Sequence, residues 1–230
     1  KINLKKYPVI ISQCEKCQLI HLKYTLPDKL LFPSNYSYLS GHSKEKINNF
    51  KSILRKIEKF SKKNDPKILD IGSNDGAFLE LVKNKYSKVL GIEPTNCADI
   101  TINKRIDTIK SPLNFQLAKK IVNKYSKFDF IIATNILAHT NNIGGILKSI
   151  KLLLNKKGLS IIEVQNLYDL ISQKGFDSIH HEHKAYFTLS SIMKVMKNFG
   201  LYIFDAEKLS VHGGILRVYV SPNKKKIRKR

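Results

Sequence analysis

No run of about 18 apolar residues and no charged-then-apolar leader occurs in these 230 residues, so neither a membrane span nor a signal peptide is expected. A cytoplasmic location is the expectation. Cysteine is scarce. Only Cys14, Cys17 and Cys97 are present, an odd number without a leader, which argues against a disulfide scaffold and for reduced thiols. Acid is the scarce charge: 18 Asp and Glu stand against 41 Lys and Arg, a formal net charge of +23. The lysines are scattered along the whole chain, and Lys, Ile and Asn are abundant together, as A/T-rich codons would produce. Only residues 224–230 form a concentrated basic block, and no aromatic–basic alternation accompanies it, so nucleic acid is not an expected partner. Internal repeats and low-complexity segments are absent. The length suits one well-buried α/β domain with an appendage.

Residues 1–40 are aromatic and punctuated by proline, with short β-like runs at 9–12 and 19–22 around Cys14-Glu15-Lys16-Cys17. A Cys-x-x-Cys pair is half of a tetrahedral zinc site, but no second pair occurs and Zn2+ would need two more ligands. A zinc-knuckle remnant, two unliganded structural thiols and a redox pair all stay open. Over 42–63, Ile47, Phe50, Leu54, Ile57 and Phe60 fall three and four apart and predict an amphipathic helix ended by Asp65-Pro66. Strand and helix signals then alternate. Strands are expected at 67–71, 88–93, 105–109, 128–134 and 159–164, and helices at 76–85, 96–104, 114–125 and 143–154. Such alternation implies right-handed crossovers and a mainly parallel sheet. A helix over 189–198, capped by Gly200, and two linked strands at 201–206 and 215–220 close the pattern.

The run Ile68-Leu69-Asp70-Ile71-Gly72-Ser73-Asn74-Asp75-Gly76, followed by Gly91-Ile92-Glu93-Pro94, carries the clearest chemistry. An apolar run ending in Asp-x-Gly brings the chain to the carboxyl end of a parallel strand, where Gly72 can take positive φ and Gly76 lets backbone approach a ligand at a helix start. Glu93 stands about 20 residues past Asp70, where folds of this type place the carboxylate that accepts ribose hydroxyls. The turn is not Gly-x-Gly-x-x-Gly. Acids at 70 and 75 suit a cationic, phosphate-free ligand such as S-adenosyl-L-methionine better than a dinucleotide pyrophosphate.

Further motifs occur in a fixed order: Cys14-Glu15-Lys16-Cys17, Tyr36-Ser37-Tyr38, the glycine turn, Gly91-Ile92-Glu93-Pro94-Thr95, Asn135-Ile136-Leu137-Ala138-His139, His180-His181-Glu182-His183, and His212-Gly213-Gly214-Ile215-Leu216-Arg217. In that order the chain resembles the S-adenosylmethionine-dependent C-methyltransferases of nucleotide-linked keto-deoxysugars. The resemblance implies a class I, Rossmann-like α/β/α sandwich with a mainly parallel seven-stranded sheet and a small zinc-binding-type remnant at the amino end. Residues 1–41 would be that partial module, with Cys14 and Cys17 as metal ligands, 42–221 the methyltransferase domain, and 222–230 a basic tail. Within the domain, 166–221 would begin the family's carboxyl-terminal region. Measured against the family, an upstream Cys-x-x-Cys and a further α/β region after the last strand are expected to be missing.

The resemblance also assigns roles. Asp70, Gly72, Ser73, Asn74, Gly76, Glu93, Pro94 and Asn135 would hold the cofactor. The final histidine of His-Glu-His, His183, would remove the proton beside a sugar ketone, with Glu182 and His181 supporting the sugar or the base. His180 stands where the family usually has tyrosine. His139 would face the transferring methyl or the sugar, and Tyr36 or Tyr38 would supply an aromatic wall or hydroxyl. Neutral imidazole suits a base at neutral pH because histidine ordinarily titrates near 6.5. A metal reading of the histidine run is weaker: in an extended segment His181 and His183 share a face and offer two ligands. Arg217 is open to a pyrophosphate, an ion pair or the surface. The expected partner is a nucleotide-linked keto-sugar, with no membrane and no nucleic acid, and a monomer is expected. The rivals are a nucleic-acid methyltransferase, which the positive charge favours, a small-molecule methyltransferase, and a catalytically inactive binding domain.

Overall fold

The computed structural model describes residues 6–33 and 35–224. Most of the basic block, residues 225–230, lies outside the described residues. The core is a seven-stranded sheet built from β3 (Ile68–Ile71), β4 (Val89–Ile92), β5 (Thr108–Ile109), β6 (Phe128–Thr134), β7 (Leu154–Gln165), β9 (Tyr202–Leu209) and β10 (Ile215–Ser221). Their spatial order is β5-β4-β3-β6-β7-β10-β9. The pairs from β5 to β7 are parallel, and β10 runs antiparallel to both β7 and β9. This is the class I methyltransferase sheet. The chain leaves β3 in one direction to reach β4 and later returns on the other side with β6, which opens a crevice at the carboxyl ends of these strands.

Alternation along the strands explains the three layers. In β6, Phe130 and Ile132 join Ile68 of β3 on one face, while Ile131 and Ala133 join Leu69 and Ile71 on the other. The first face is covered by α2 (Lys44–Phe60), through Phe50, Ile53 and Ile57, and by α3 (Ala77–Lys83), through Phe78 and Val82. The second is covered by α5 (Phe115–Tyr125), α6 (Ile143–Leu153) and α8 (Leu189–Asn198), through Ile121, Leu147, Ile150, Ile192 and Met196. Burying each such side chain stabilises the fold by about 1.5–3 kcal/mol before the cost of ordering it. Caps set helix starts: Ser43 Oγ accepts from Lys46 N at 3.2 Å, and Thr188 with Ser191 forms a capping box. α4 (Cys97–Asn103) links β4 to β5.

Three features depart from expectation. β7 starts at Leu154, directly where α6 ends and well before residue 159, because Leu154 pairs with Phe128 ahead of a register shift. A short helix α7 (Leu167–Ser172), capped by Asn166, occupies a stretch without helical periodicity. Strands β1 (Ile11–Gln13) and β2 (Ile20–Leu22) form a three-stranded antiparallel sheet with β8 (Ala185–Tyr186), which directly follows the histidine segment. Among the described residues no helix is long and apolar enough to cross a membrane.

Candidate active site

β3 delivers the chain to its turn at the sheet's carboxyl edge. Gly72, Asn74 and Gly76 all take positive φ, at 72°, 50° and 74°. The Ile136 side chain packs over Gly72 and would have to shift for any larger residue, since a Cβ there would lie 2.0 Å from Ile136 Cδ1. Gly72 N and Ser73 N both donate to the Ile92 carbonyl, at 2.7 and 3.1 Å, and so bring the turn to the end of β4. There Glu93, only 5% exposed, fastens two loops. Its Oε2 accepts from Asn74 N at 2.9 Å, and its Oε1 accepts from Thr95 N at 2.9 Å and Thr95 Oγ1 at 2.7 Å. Pro94, exposed between them, has no N–H to compete for the carboxylate.

Asp70 is buried below this turn, and its carboxyl is pushed well above the usual range by burial first and by the charge of Glu93 second. Ser73 Oγ and Asn96 Oδ1 are buried without hydrogen-bond partners. Two acids and unpartnered polar atoms beside a glycine turn fit a ligand with positive charge and hydroxyl groups. Asp75 does not join them. Its Oδ1 accepts from Ser40 Oγ at 2.7 Å and its Oδ2 from Gly41 N at 2.9 Å, so this acid holds the 3-10 turn at Ser40–His42.

Asn135 follows β6 with φ 59° and donates its backbone N–H to the Glu163 carbonyl at 2.8 Å. The loop it begins reaches from the Gly72 turn, through Ile136, to a cluster of imidazoles at its other end. His139 and His183 have ring centroids 5.0 Å apart, and His180 and His183 4.3 Å apart. This arrangement corrects the expectation of an extended histidine segment. His183 N donates to the His180 carbonyl at 3.0 Å, so the run turns and residues three apart meet. His181 is left outside, its ring 6.2 Å from Tyr7 and its Nε2 3.3 Å from the Tyr7 carbonyl.

His183 Nδ1 lies 2.8 Å from the Ser178 carbonyl, which can only accept. Nδ1 therefore carries the proton, and Nε2 of the neutral ring keeps its lone pair. Burial lowers the His183 pKa, against the opposing pull of the Ser178 bond. His139 is lowered to about 3, by burial and then by His183, and its Nδ1 is buried without a hydrogen-bond partner. The Glu182 side chain raises the pKa of His183 through its charge.

Phe32 packs edge-on against His139 at 5.9 Å and against Tyr36 at 5.6 Å. Burial, then the charge of Glu182, pushes the Tyr36 phenol up to about 12, with Glu93 also contributing. Tyr36 thus lies within electrostatic reach of both Glu93 and the histidine segment. Tyr38 does not share this position. It is 46% exposed, its phenol is raised by burial, Asp75 and Glu45, and its carbonyl accepts from Asn74 Nδ2 at 3.0 Å. Phe32 carried no sequence signal of a site.

Arg217 is an internal ion-pair residue. Its Nε donates to Glu163 Oε1 at 2.7 Å, and Nη2 reaches Asn49 Oδ1 at 2.7 Å and Ser52 Oγ at 2.8 Å. Both partners of the pair are 1% exposed, and Asn49 Nδ2 also donates to Glu163 Oε2 at 2.7 Å. At the amino end, Gln18 N donates to the Cys14 carbonyl at 2.7 Å, and Gln18 has φ 62°, closing a tight knuckle. Hydrogen bonds from Cys17 and Lys16 lower the Cys14 pKa, while burial raises that of Cys17. Among the described residues no group of three or more His, Cys, Asp or Glu side chains is arranged to hold a metal, so the two thiols alone do not fit a closed tetrahedral site.

Residues 46–205 match the family described as a methyltransferase domain. The C-methyltransferase NovU of Streptomyces niveus is 27% identical over 94% of this chain and 52% of its own length. The chain thus spans about half of that relative. A tRNA U34 carboxymethyltransferase of Campylobacter lari is 26% identical over 49% of this chain and 41% of its own. The magnesium protoporphyrin IX methyltransferase of Synechocystis PCC 6803, crystallised with S-adenosylhomocysteine, aligns at a TM-score of 0.58 with 14% identity, covering 78% of this chain and 83% of the other.

Proposed function

We propose, since the chain belongs to the methyltransferase-domain family and is a class I S-adenosylmethionine-dependent enzyme, that it methylates the carbon beside the ketone of a nucleotide-activated keto-deoxysugar. The similarity to a C-methyltransferase supports the reaction class. The observation that carries the reading is His183, a neutral imidazole whose Nδ1 is bound to the Ser178 carbonyl and whose Nε2 is left as the basic atom.

Asp70, Gly72, Ser73, Asn74, Gly76, Glu93, Pro94 and Asn135 would hold the cofactor. Glu93 would take the ribose hydroxyls with its remaining lone pairs, and Asp70 would offset positive charge. When bound, S-adenosylmethionine supplies an electrophilic methyl group. His183 Nε2 takes the α-proton of the sugar, and the electron pair moves toward the ketone oxygen as an enolate. The Tyr36 hydroxyl, held protonated, is the donor for that oxygen. Glu182 steadies the imidazolium that forms, because its charge favours protonated His183. Deprotonation leaves the α-carbon nucleophilic toward the methyl group that the bound cofactor would supply. His180, packed on His183, limits the ring's rotation and faces the sugar in place of the family's tyrosine.

A thermal-shift titration tests the reading. S-adenosylhomocysteine should raise the melting temperature, and a dTDP-linked keto-deoxysugar should raise it further. A second increment from RNA and none from the sugar nucleotide would replace this reading with a nucleic-acid methyltransferase. No second increment from either would favour an inactive binding domain.

A further inference from the structure

Lys184, the residue after His183, has a side chain only 3% exposed, although an ammonium group is costly to bury unless it is paired. Its partner is Asp28, whose own side chain is 63% exposed. The fold therefore draws the lysine inward to meet an acid at the surface. Asn141 Nδ2 donates to the same Asp28 oxygen at 3.2 Å.

Asp28 opens α1 (Asp28–Leu31), a four-residue helix that buries none of its residues and has no side-chain cap. With no fully buried side chain to seat it, α1 depends chiefly on its polar contacts for its place. Phe32 closes the helix, its N–H donating to the Asp28 carbonyl at 2.7 Å. The Phe32 ring then lies 6.0 Å from the Lys184 ammonium and edge-on to His139. The backbone of residue 184 repeats the connection: its N–H donates to the Ala138 carbonyl at 2.7 Å, and its carbonyl accepts from Leu22 N at 2.9 Å. The contacts form a closed circuit, from His183 to Lys184, Asp28, Phe32, His139 and back to His183.

We propose that Lys184 is a positioning residue which, through Asp28 and Phe32, holds the His139 ring against His183. The catalytic consequence rests on the reading of His183 as the base; the positioning itself does not. Losing the ion pair releases α1, Phe32 leaves the edge of His139, and the imidazole pair loses its fixed separation.

Histidine-ring NMR of the full chain tests this, with His139 assigned by a His139→Gln variant and Phe32→Leu giving the direction of the ring-current change. Asp28→Asn removes the acid from an exposed position, and circular dichroism checks that the fold persists. It should move the His139 ring protons in the same direction as Phe32→Leu, Asp28→Glu should restore them, and Lys184→Met should reproduce the Asn effect if it folds. Where the parent exchanges the sugar's α-proton, kcat for exchange in Asp28→Asn should fall on the order of 10-fold or more with KM little changed, the effect of misplacing a reacting group. His139 resonances at their parent positions in Asp28→Asn would overturn the proposal. Shifted resonances with an unchanged exchange rate would overturn its catalytic half. A parent that exchanges no keto-sugar proton would count against the proposed function alone, since the NMR comparison decides the positioning independently.

Discussion

Glu93→Gln separates the two tasks of the acid that closes β4. The carboxylate receives three hydrogen bonds: Thr95 N and Oγ1 on Oε1, and Asn74 N on Oε2. Glutamine keeps one oxygen, and placing it at the Oε1 position preserves two of the three. The amide nitrogen then faces Asn74 N, donor against donor, and one backbone N–H of the glycine turn loses its partner. An unmet buried donor costs about 1–3 kcal/mol, so the cofactor-free protein should melt lower by an amount of that order. The lost charge also weakens acceptance of ribose hydroxyls, and S-adenosylhomocysteine affinity should fall roughly 5- to 150-fold, the equivalent of a further 1–3 kcal/mol. Differential scanning calorimetry measures the first effect and isothermal titration calorimetry the second. Parent affinity in a folded Glu93→Gln protein would refute the assignment of Glu93 to the ribose, while leaving its role in the turn to the melting data.

Arg217→Met should destabilise the fold by about 3–5 kcal/mol in denaturant titration, because Glu163 would remain buried and charged without its guanidinium; a double change with Glu163→Gln should recover part of the loss, and a single-variant loss below about 1 kcal/mol would contradict the pair's importance. His139 and His183 have lowered folded pKa values, His139 to about 3, whereas in the unfolded chain both titrate near 6.5. Stability from these groups is therefore complete above pH 6.5 and is lost as pH falls toward 3, so a melting series for His139→Gln should show a shallower acid decline than the parent. Parallel curves would contradict the burial of a neutral ring. The 230-residue chain should hold zinc weakly through Cys14 and Cys17, since a closed site needs four ligands. One zinc per chain surviving dialysis against a chelator would show that further ligands are recruited.

β3, β4 and β6 were legible because each is a short, mostly apolar run between charged or turn-forming residues, and α2 because its apolar residues repeat every three to four positions; β5 is confined to Thr108–Ile109, the end of the stretch expected at 105–109. The start of β7 was hidden by Asn155, Lys156, Lys157 and Gly158, whose polar character reads as a loop although Leu154 pairs with Phe128. α7 leaves Tyr168 and Ile171 at 69% and 61% exposure, so no amphipathic pattern announces it. At the histidine run, alternation was the wrong rule. The bond from His183 N to the His180 carbonyl makes a turn, and the side chains that meet are three apart rather than two. Asp75 read as a ligand-facing acid because sequence shows charge without showing what satisfies it. Lys184 carried no signal for a similar reason: a lone lysine in a lysine-rich chain reads as surface, and only its burial marks it.

The most direct measurement is exchange of the α-proton of a nucleotide-linked keto-deoxysugar in deuterated buffer, followed by NMR, in the parent and in His183→Asn with S-adenosylhomocysteine present. The parent should wash deuterium into the carbon beside the ketone. His183→Asn should lose that exchange together with methyl transfer while binding S-adenosylhomocysteine as the parent does. Exchange at the parent rate in a folded His183→Asn protein would place the base elsewhere and contradict the account.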